Sequence, residues 1–217
     1  MPQPPKLTMG HVAMHYSRPE DGPLAAKLLG ILGFHQDEPL SFDGGVSNFY
    51  RLWTDKDTPR HDGIVFLSYL PKSLRDLQAR IREALDVGGR DEDPVVAAFK
   101  ATEADDPELC FHVGLMYASL DELEAHVAAI EADPKLNGRI KIVANRPPAG
   151  HDPEIDAIID ASPIFSKTER TTYGHFGVQV FIVTDLLSGG PLGEQMTVEL
   201  DYVFPGHPQN VFTEVAA

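Results

Sequence analysis

The feature that most constrains the fold is an internal repeat. Gly10-His11-Val12-Ala13-Met14-His15-Tyr16 matches Phe111-His112-Val113-Gly114-Leu115-Met116-Tyr117, with His, Val and Tyr coinciding at an offset of 101 residues. A helical pattern follows each copy. Each half also closes on a strand-like run ended by proline, Phe66-Leu67-Ser68-Tyr69-Leu70-Pro71 and Glu199-Leu200-Asp201-Tyr202-Val203-Phe204-Pro205. Such a repeat is one supersecondary unit that cannot bury its own sheet well alone. Two copies would share a curved sheet and enclose a cleft. The expected class is therefore α+β, built from two tandem βαβββ modules in a curved mixed sheet around that cleft.

Side-chain alternation sets the faces. In the first strand, Val12, Met14 and Tyr16 share one face and His11, Ala13 and His15 the other. Leu24, Leu28 and Ile31 then recur at helical spacing, and Gly33 stops the helix. A short strand around 36–42 and strands over 47–54 and 63–70 complete the first module, residues 8–71. Residues 72–107 read as a charged helical connector: Leu74, Leu77, Ile81 and Leu85 form one stripe, and a second helix starts at Pro94. The second module covers 108–206. Its strand over 110–118 leads to Ser119, which has Glu122 three residues on, a capping-box spacing. Leu120, Leu123, Val127 and Ile130 make the next helical stripe. Further strands are expected over 139–144, 176–184 and 196–204, with 187–195 as a Gly-rich turn. Residues 145–172 form a Pro- and Asp-rich loop insertion, with a helical turn at 154–160.

The 217 residues suit one compact unit or two half-domains sharing a core. With 33 acidic against 18 basic residues, the formal net charge is -15. That balance argues against nucleic acid and anionic membrane as partners, which need a basic face. The expected partners are a small-molecule substrate and a second copy of the chain in a homodimer. Cys110 is the single cysteine, so no intramolecular disulfide can form and a reducing compartment follows. It reads as a buried structural thiol rather than a nucleophile. No signal-peptide pattern and no apolar run of about 20 residues is present, which points to the cytoplasm. Order is expected throughout except at the Pro-rich start (Pro2, Pro4, Pro5) and over the last few residues. No Gly-rich phosphate loop, Gly-x-Ser-x-Gly elbow or Cys-x-x-Cys pair occurs.

His11-Val12-Ala13-Met14, Leu28-Leu29-Gly30-Ile31-Leu32-Gly33-Phe34, His112-Val113-Gly114-Leu115 and Val198-Glu199-Leu200 together resemble the vicinal oxygen chelate superfamily. That family includes glyoxalase I, extradiol ring-cleaving dioxygenases and fosfomycin- and bleomycin-resistance proteins. The resemblance covers both modules but not the connector or the 145–172 loop. It implies that His11, His112 and Glu199 hold one divalent metal. The faces agree: each lies opposite an apolar set, and an ionised Glu inside a sheet is costly unless paired or metal-bound. Two imidazoles and a carboxylate with open positions match the facial triad of non-haem iron oxygenases. Fe(II) is therefore the expected ion, and Mn(II), Zn(II), Ni(II) or Co(II) suit the same ligands. Glyoxalase I-like members often add a fourth ligand from the first module's last strand, but Val65-Phe66-Leu67 is apolar. This departure favours an extradiol-like dioxygenase acting on a catechol-like aromatic. The alternatives are a metal-dependent lyase or isomerase working through an enediolate, and a metal-free binding protein.

In extradiol-like members a His and a Tyr near the metal handle protons. His175 and Tyr173 are the candidates here, a His being able to act as acid or base near neutral pH. His15, Gln179 and Asp201 fall on cleft faces and are expected to bind substrate. His35, His61, His126, His151 and His207 read as solvated.

Overall fold

The computed structural model describes residues 8–57 and 62–207. The N-terminal prolines, His61 and the C-terminal residues lie outside this range. The first module comprises β1 (His11–Tyr16), α1 (Gly22–Ile31), β2 (His35–Gln36), β3 (Leu40–Phe42), β4 (Ser47–Trp53) and β5 (Ile64–Tyr69). Helices α2 (Lys72–Ala84) and α3 (Pro94–Asp105) form the connector. The second module comprises β6 (His112–Met116), α4 (Leu120–Ala132), β7 (Ile140–Asn145), α5 (Pro153–Ala161), β8 (Gly177–Gly189) and β9 (Gln195–Val203). Two expectations change in detail. The strand around 36–42 is split into β2 and β3, and β8 runs on into the segment read as a turn.

Within each module the first strand lies parallel to the last: β1 on β5 and β6 on β9. The order β2-β4-β5-β1-β8-β9-β6, with β3 on β4 and β7 on β8, makes one open mixed sheet. The modules join where β1 meets β8, at the pair His15↔Ser188.

Helices α1 and α4 pack against the sheet and against each other. The alternating apolar sets face them. Met14, Tyr16, Val65, Leu67, Val178, Val180, Ile182, Val198 and Leu200 all enter one buried cluster with Leu28, Leu29, Leu123 and Val127. Local signals act as the sequence suggests: Ser119 Oγ accepts from Glu122 N–H at 3.2 Å, and Gly33 sits at φ +102°, a conformation L side chains resist.

Polar contacts staple the two halves. Asp21 is 3% exposed and accepts from Arg18 Nε at 2.6 Å and from Arg139 at 3.0 Å. Both arginines also reach Asp185, at 3.2 and 2.7 Å. Tyr117 donates to the Leu32 carbonyl at 2.8 Å, at the end of α1, and faces His126 Nδ1 at 3.2 Å. His126 is therefore half-buried and bonded rather than solvated. Its ring and α4 need a polar neighbour there, which the sequence pattern of a helix surface does not reveal.

Removing Asp21 would leave two guanidinium groups facing a buried gap. Asp21→Ala is expected to destabilise the fold by about 2–3 kcal/mol in chemical denaturation, more than removal of the exposed Asp185 partner.

Candidate metal centre

The register of β6 on β9 decides which side chains meet. His112 pairs with Thr197 and Gly114 with Glu199. His112 Nε2 lies 3.1 Å from Glu199 Oε2. Cα pairing of β8 with β9 sets Gln179 opposite Asp201 and Phe181 opposite Glu199. The Gln179 amide donates to Glu199 Oε1 at 2.6 Å and to Glu108 Oε2 at 2.9 Å. Glu108 stands in the 3-10 turn Pro107–Leu109 at the end of the connector. Glu108, His112 and Glu199 each offer a ligand atom within 4.8 Å of the others, the single such group among the described residues.

His112 has a fixed tautomer. Its Nδ1 faces the Cys110 carbonyl at 2.8 Å, and a carbonyl can only accept, so Nδ1 carries the hydrogen. Nε2 then presents its lone pair toward Glu199. Two lone pairs 3.1 Å apart repel unless a proton or a cation lies between them. Ligand atoms about 2.1 Å from a common ion are about 3.0 Å apart at right angles, so this spacing fits a bound cation.

Charge crowding makes the same point. Glu199 is 3% exposed and Asp201 hydrogen-bonds to it. Burial, then the charges of Asp201 and Glu108, push the Glu199 carboxyl well above the usual carboxylate range. Burial raises Asp201 as well. Three carboxylates and one imidazole with a single bridging amide suit a divalent ion, which neutralises the repulsion that raises these groups. One imidazole and two carboxylates form an oxygen-rich donor set that accepts Mn(II), Fe(II) or Zn(II).

Behind the ligands a polar chain holds the amide. Asn145 Nδ2 lies 3.5 Å from Gln179 Oε1, and Arg170 Nε donates to Asn145 Oδ1 at 3.0 Å. Gly114 leaves the carboxylates open; a Cβ there would stand 3.4 Å from Asp201 Oδ2.

The sequence-derived set is brought together only in part. His112, Glu199, Gln179 and Asp201 converge. His11 does not join them, and Glu108 stands where the second imidazole was expected. His15 pairs with Ser188, seven residues along β8 from Phe181, the partner of Glu199. At about 3.3 Å per residue that is over 20 Å along the strand, and His11 lies four residues farther in the same direction. Its ring packs 4.8 Å from Phe66 instead. His15 Nδ1 meets Ser68 Oγ at 3.1 Å, and burial lowers its pKa. His175 stands four residues before Gln179, and its ring lies flat on His151 at 3.9 Å. Tyr173 is at the rim, its hydroxyl on the Asp106 carboxylate two residues from Glu108. His151 is exposed but ring-stacked, and His207 is half-buried on Phe176 at 3.8 Å. Burial pushes the Cys110 thiol up to about 11, so it stays protonated near neutral pH. Glu108 has no counterpart in the repeat; its one signal is the acidic Asp106-Pro107-Glu108 run just ahead of His112.

Neither the protein-family models nor the curated proteins yield a match to this chain. Among solved structures, the crystal structure of UcmS2 aligns over 89% of this chain and 98% of its own, with 12% identity and a TM-score of 0.38. A protein from Ralstonia eutropha JMP134 provisionally assigned to the glyoxalase superfamily aligns over 90% and 72%, with 11% identity and a TM-score of 0.23. A protein from Shewanella frigidimarina NCIMB 400 provisionally named a hydrolase aligns over 96% and 85%, with 13% identity and a TM-score of 0.22. Likenesses this distant carry no argument about activity, so the chemistry has to come from this chain's own side chains.

A carboxyl with a raised folded-state pKa binds more protons folded than unfolded, so stability falls as pH rises above the ordinary carboxylate range. The metal-free protein should therefore lose thermal stability between about pH 5 and pH 8. Glu199→Gln should flatten that slope, and added Mn(II) or Zn(II) should raise the melting temperature most at the alkaline end. A metal-free protein whose melting temperature is level across this range would contradict the crowding argument.

Proposed function

We propose that this protein is a divalent-metal enzyme of the vicinal oxygen chelate type, moving a proton at a carbon beside two adjacent substrate oxygens. The observation that carries the reading is the convergence of Glu108, His112 and Glu199 around one point, with the Gln179 amide spanning both carboxylates. When bound, the ion supplies Lewis-acid polarisation of the chelating oxygens. His112, with Nδ1 fixed on the Cys110 carbonyl, offers Nε2 as a neutral ligand. Glu108 and Glu199 supply charge, and Gln179 bridges them by donating to an oxygen of each. Asp201, beside Glu199 but outside the ligand group, is the proton acceptor, its basicity already raised toward neutrality by burial. Gly114 keeps the approach to these oxygens free of side chain. Tyr173 closes the rim.

Ring cleavage of a catechol by an iron centre is the second reading, favoured by the lack of a fourth ligand in the apolar Val65-Phe66-Leu67 run. It calls for two imidazoles and one carboxylate. The donor set here has one imidazole and two carboxylates. Proton transfer does not need the second imidazole.

Anaerobically purified protein should retain a divalent ion, and His112→Ala should lose it. Asp201→Asn should keep the ion but lower turnover of an α-hydroxycarbonyl substrate about a hundredfold or more. Oxygen uptake on catechols by an iron-loaded protein would replace this reading with the ring-cleaving one. Failure to retain or take up any divalent ion would end both.

A further inference from the structure

The two modules are the same scaffold carrying opposite chemistry. In module two, β6 and β9 set His112 against Thr197 and Gly114 against Glu199; in module one, β1 and β5 set His11 against Ile64 and Ala13 against Phe66. Phe66 therefore occupies the place of Glu199, and His11 that of His112. The correspondence continues. Met116↔Asp201 matches His15↔Ser68, and Gln179↔Asp201 matches Phe49↔Ser68. Where module two has two carboxylates and an amide, module one has Phe66, Ser68 and Phe49.

These aromatic rings form a continuous row. Phe66 and Phe49 have centroids 5.4 Å apart, and Phe49 and Phe42 5.9 Å apart. Phe42 is 49% exposed, so the row opens to solvent at one end. There it reaches a concave space of about 330 Å³ whose walls include Phe42, Ser47, Asn48, Ser68, Lys72 and Arg75. That volume holds a small organic molecule. Arg75 Cζ lies 4.0 Å over the Tyr69 ring, and one of its N–H groups bonds the Leu70 carbonyl. It makes no ion pair with a carboxylate among the described residues. Lys72 pairs with Asp76 at 2.6 Å, but both are largely exposed, and an exposed pair of this spacing is weak enough to yield to a ligand. In a chain of net charge -15, two cations at the lip of an aromatic-walled hollow are a local reversal of sign.

We propose that this hollow binds a small aromatic carboxylate, its ring on the Phe42 end of the aromatic row and its carboxylate against Arg75 and Lys72. Arg presents a planar fork that matches a carboxylate, and Ser68 and Asn48, hydrogen-bonded to His15 and to Ser41 and Tyr50, give the same space polar walls. This site is separate from the metal centre and does not depend on it.

The test is titration of the full-length protein with 2-naphthoate, followed by amide chemical shifts and calorimetry. Saturable shifts should centre on Phe42, Ser68 and Arg75. The uncharged 2-naphthylmethanol and the ringless acetate should each bind about tenfold more weakly or worse. Arg75→Ala and Lys72→Glu should weaken 2-naphthoate by a similar factor; Lys72 is exposed, so its variant keeps the fold even if the Arg75 variant does not. His112→Ala should bind 2-naphthoate unchanged. Shifts centred on His112 and Glu199, equal affinity for the alcohol, absence of saturation, or indifference to Lys72→Glu would each overturn the proposal.

Discussion

Like charges converging on one face of a sheet repel, and Glu199 is buried among them. That single electrostatic problem organises the second module. The parallel pairing of β6 with β9 sets His112 beside Glu199, the β8 register brings Gln179 across, and the connector turns back to deliver Glu108. Each of these is a partial remedy. The amide donates two hydrogen bonds, the imidazole offers a lone pair or a proton, and burial drives protons onto the carboxyls. A divalent ion offsets most of the remaining negative charge while leaving the carboxylates ionised. The stiffness of the surrounding sheet matters here, because a flexible loop would separate the carboxylates rather than hold them.

Most of the fold was legible in the sequence because it rests on local rules. Period-two alternation gave the faces of β1, β6, β8 and β9, and the residues assigned to the helix side are those found in the common core. The Ser119 cap and the Gly33 stop are short-range signals that tertiary contacts did not override. Residues 36–42 were less legible, since β2 and β3 are held by pairing with β4 rather than by their own pattern.

The site was half legible, for a physical reason that His11 makes plain. An internal repeat fixes equivalence within each module but not the register between modules. His11 and His112 are equivalent in that each faces the last strand of its own module. It does not follow that they meet. The β1–β8 contact at His15↔Ser188 slides the first module along the sheet and carries His11 away from Glu199. Glu108 was invisible for the complementary reason: it belongs to the connector, which has no repeat and whose path is set by contacts distant in sequence. Those contacts include the Tyr173 hydroxyl on Asp106 and Arg170 on the Asp105 carbonyl. His175 stands before β8 begins, where ring stacking on His151 rather than strand pairing fixes its direction, so strand alternation does not reach it.

Duplication also explains how one sheet can hold two unlike surfaces. The backbone pairing that places Glu199 beside His112 is the pairing that places Phe66 beside His11. Changing the side chains at three register positions converts a charged, cation-seeking face into an aromatic one without altering a backbone hydrogen bond. The helix-packed face cannot diverge so freely, because its side chains interlock at crystal-like density and a change in volume is felt throughout the core. Divergence is therefore directed to the open face, and Phe66, between the core residues Val65 and Leu67, is its trace in the first module. The acidic face of the second module needs a rigid frame against repulsion. The aromatic face of the first needs only exposure. The inter-module ion network around Asp21 serves both, since it fixes the two halves without entering either surface.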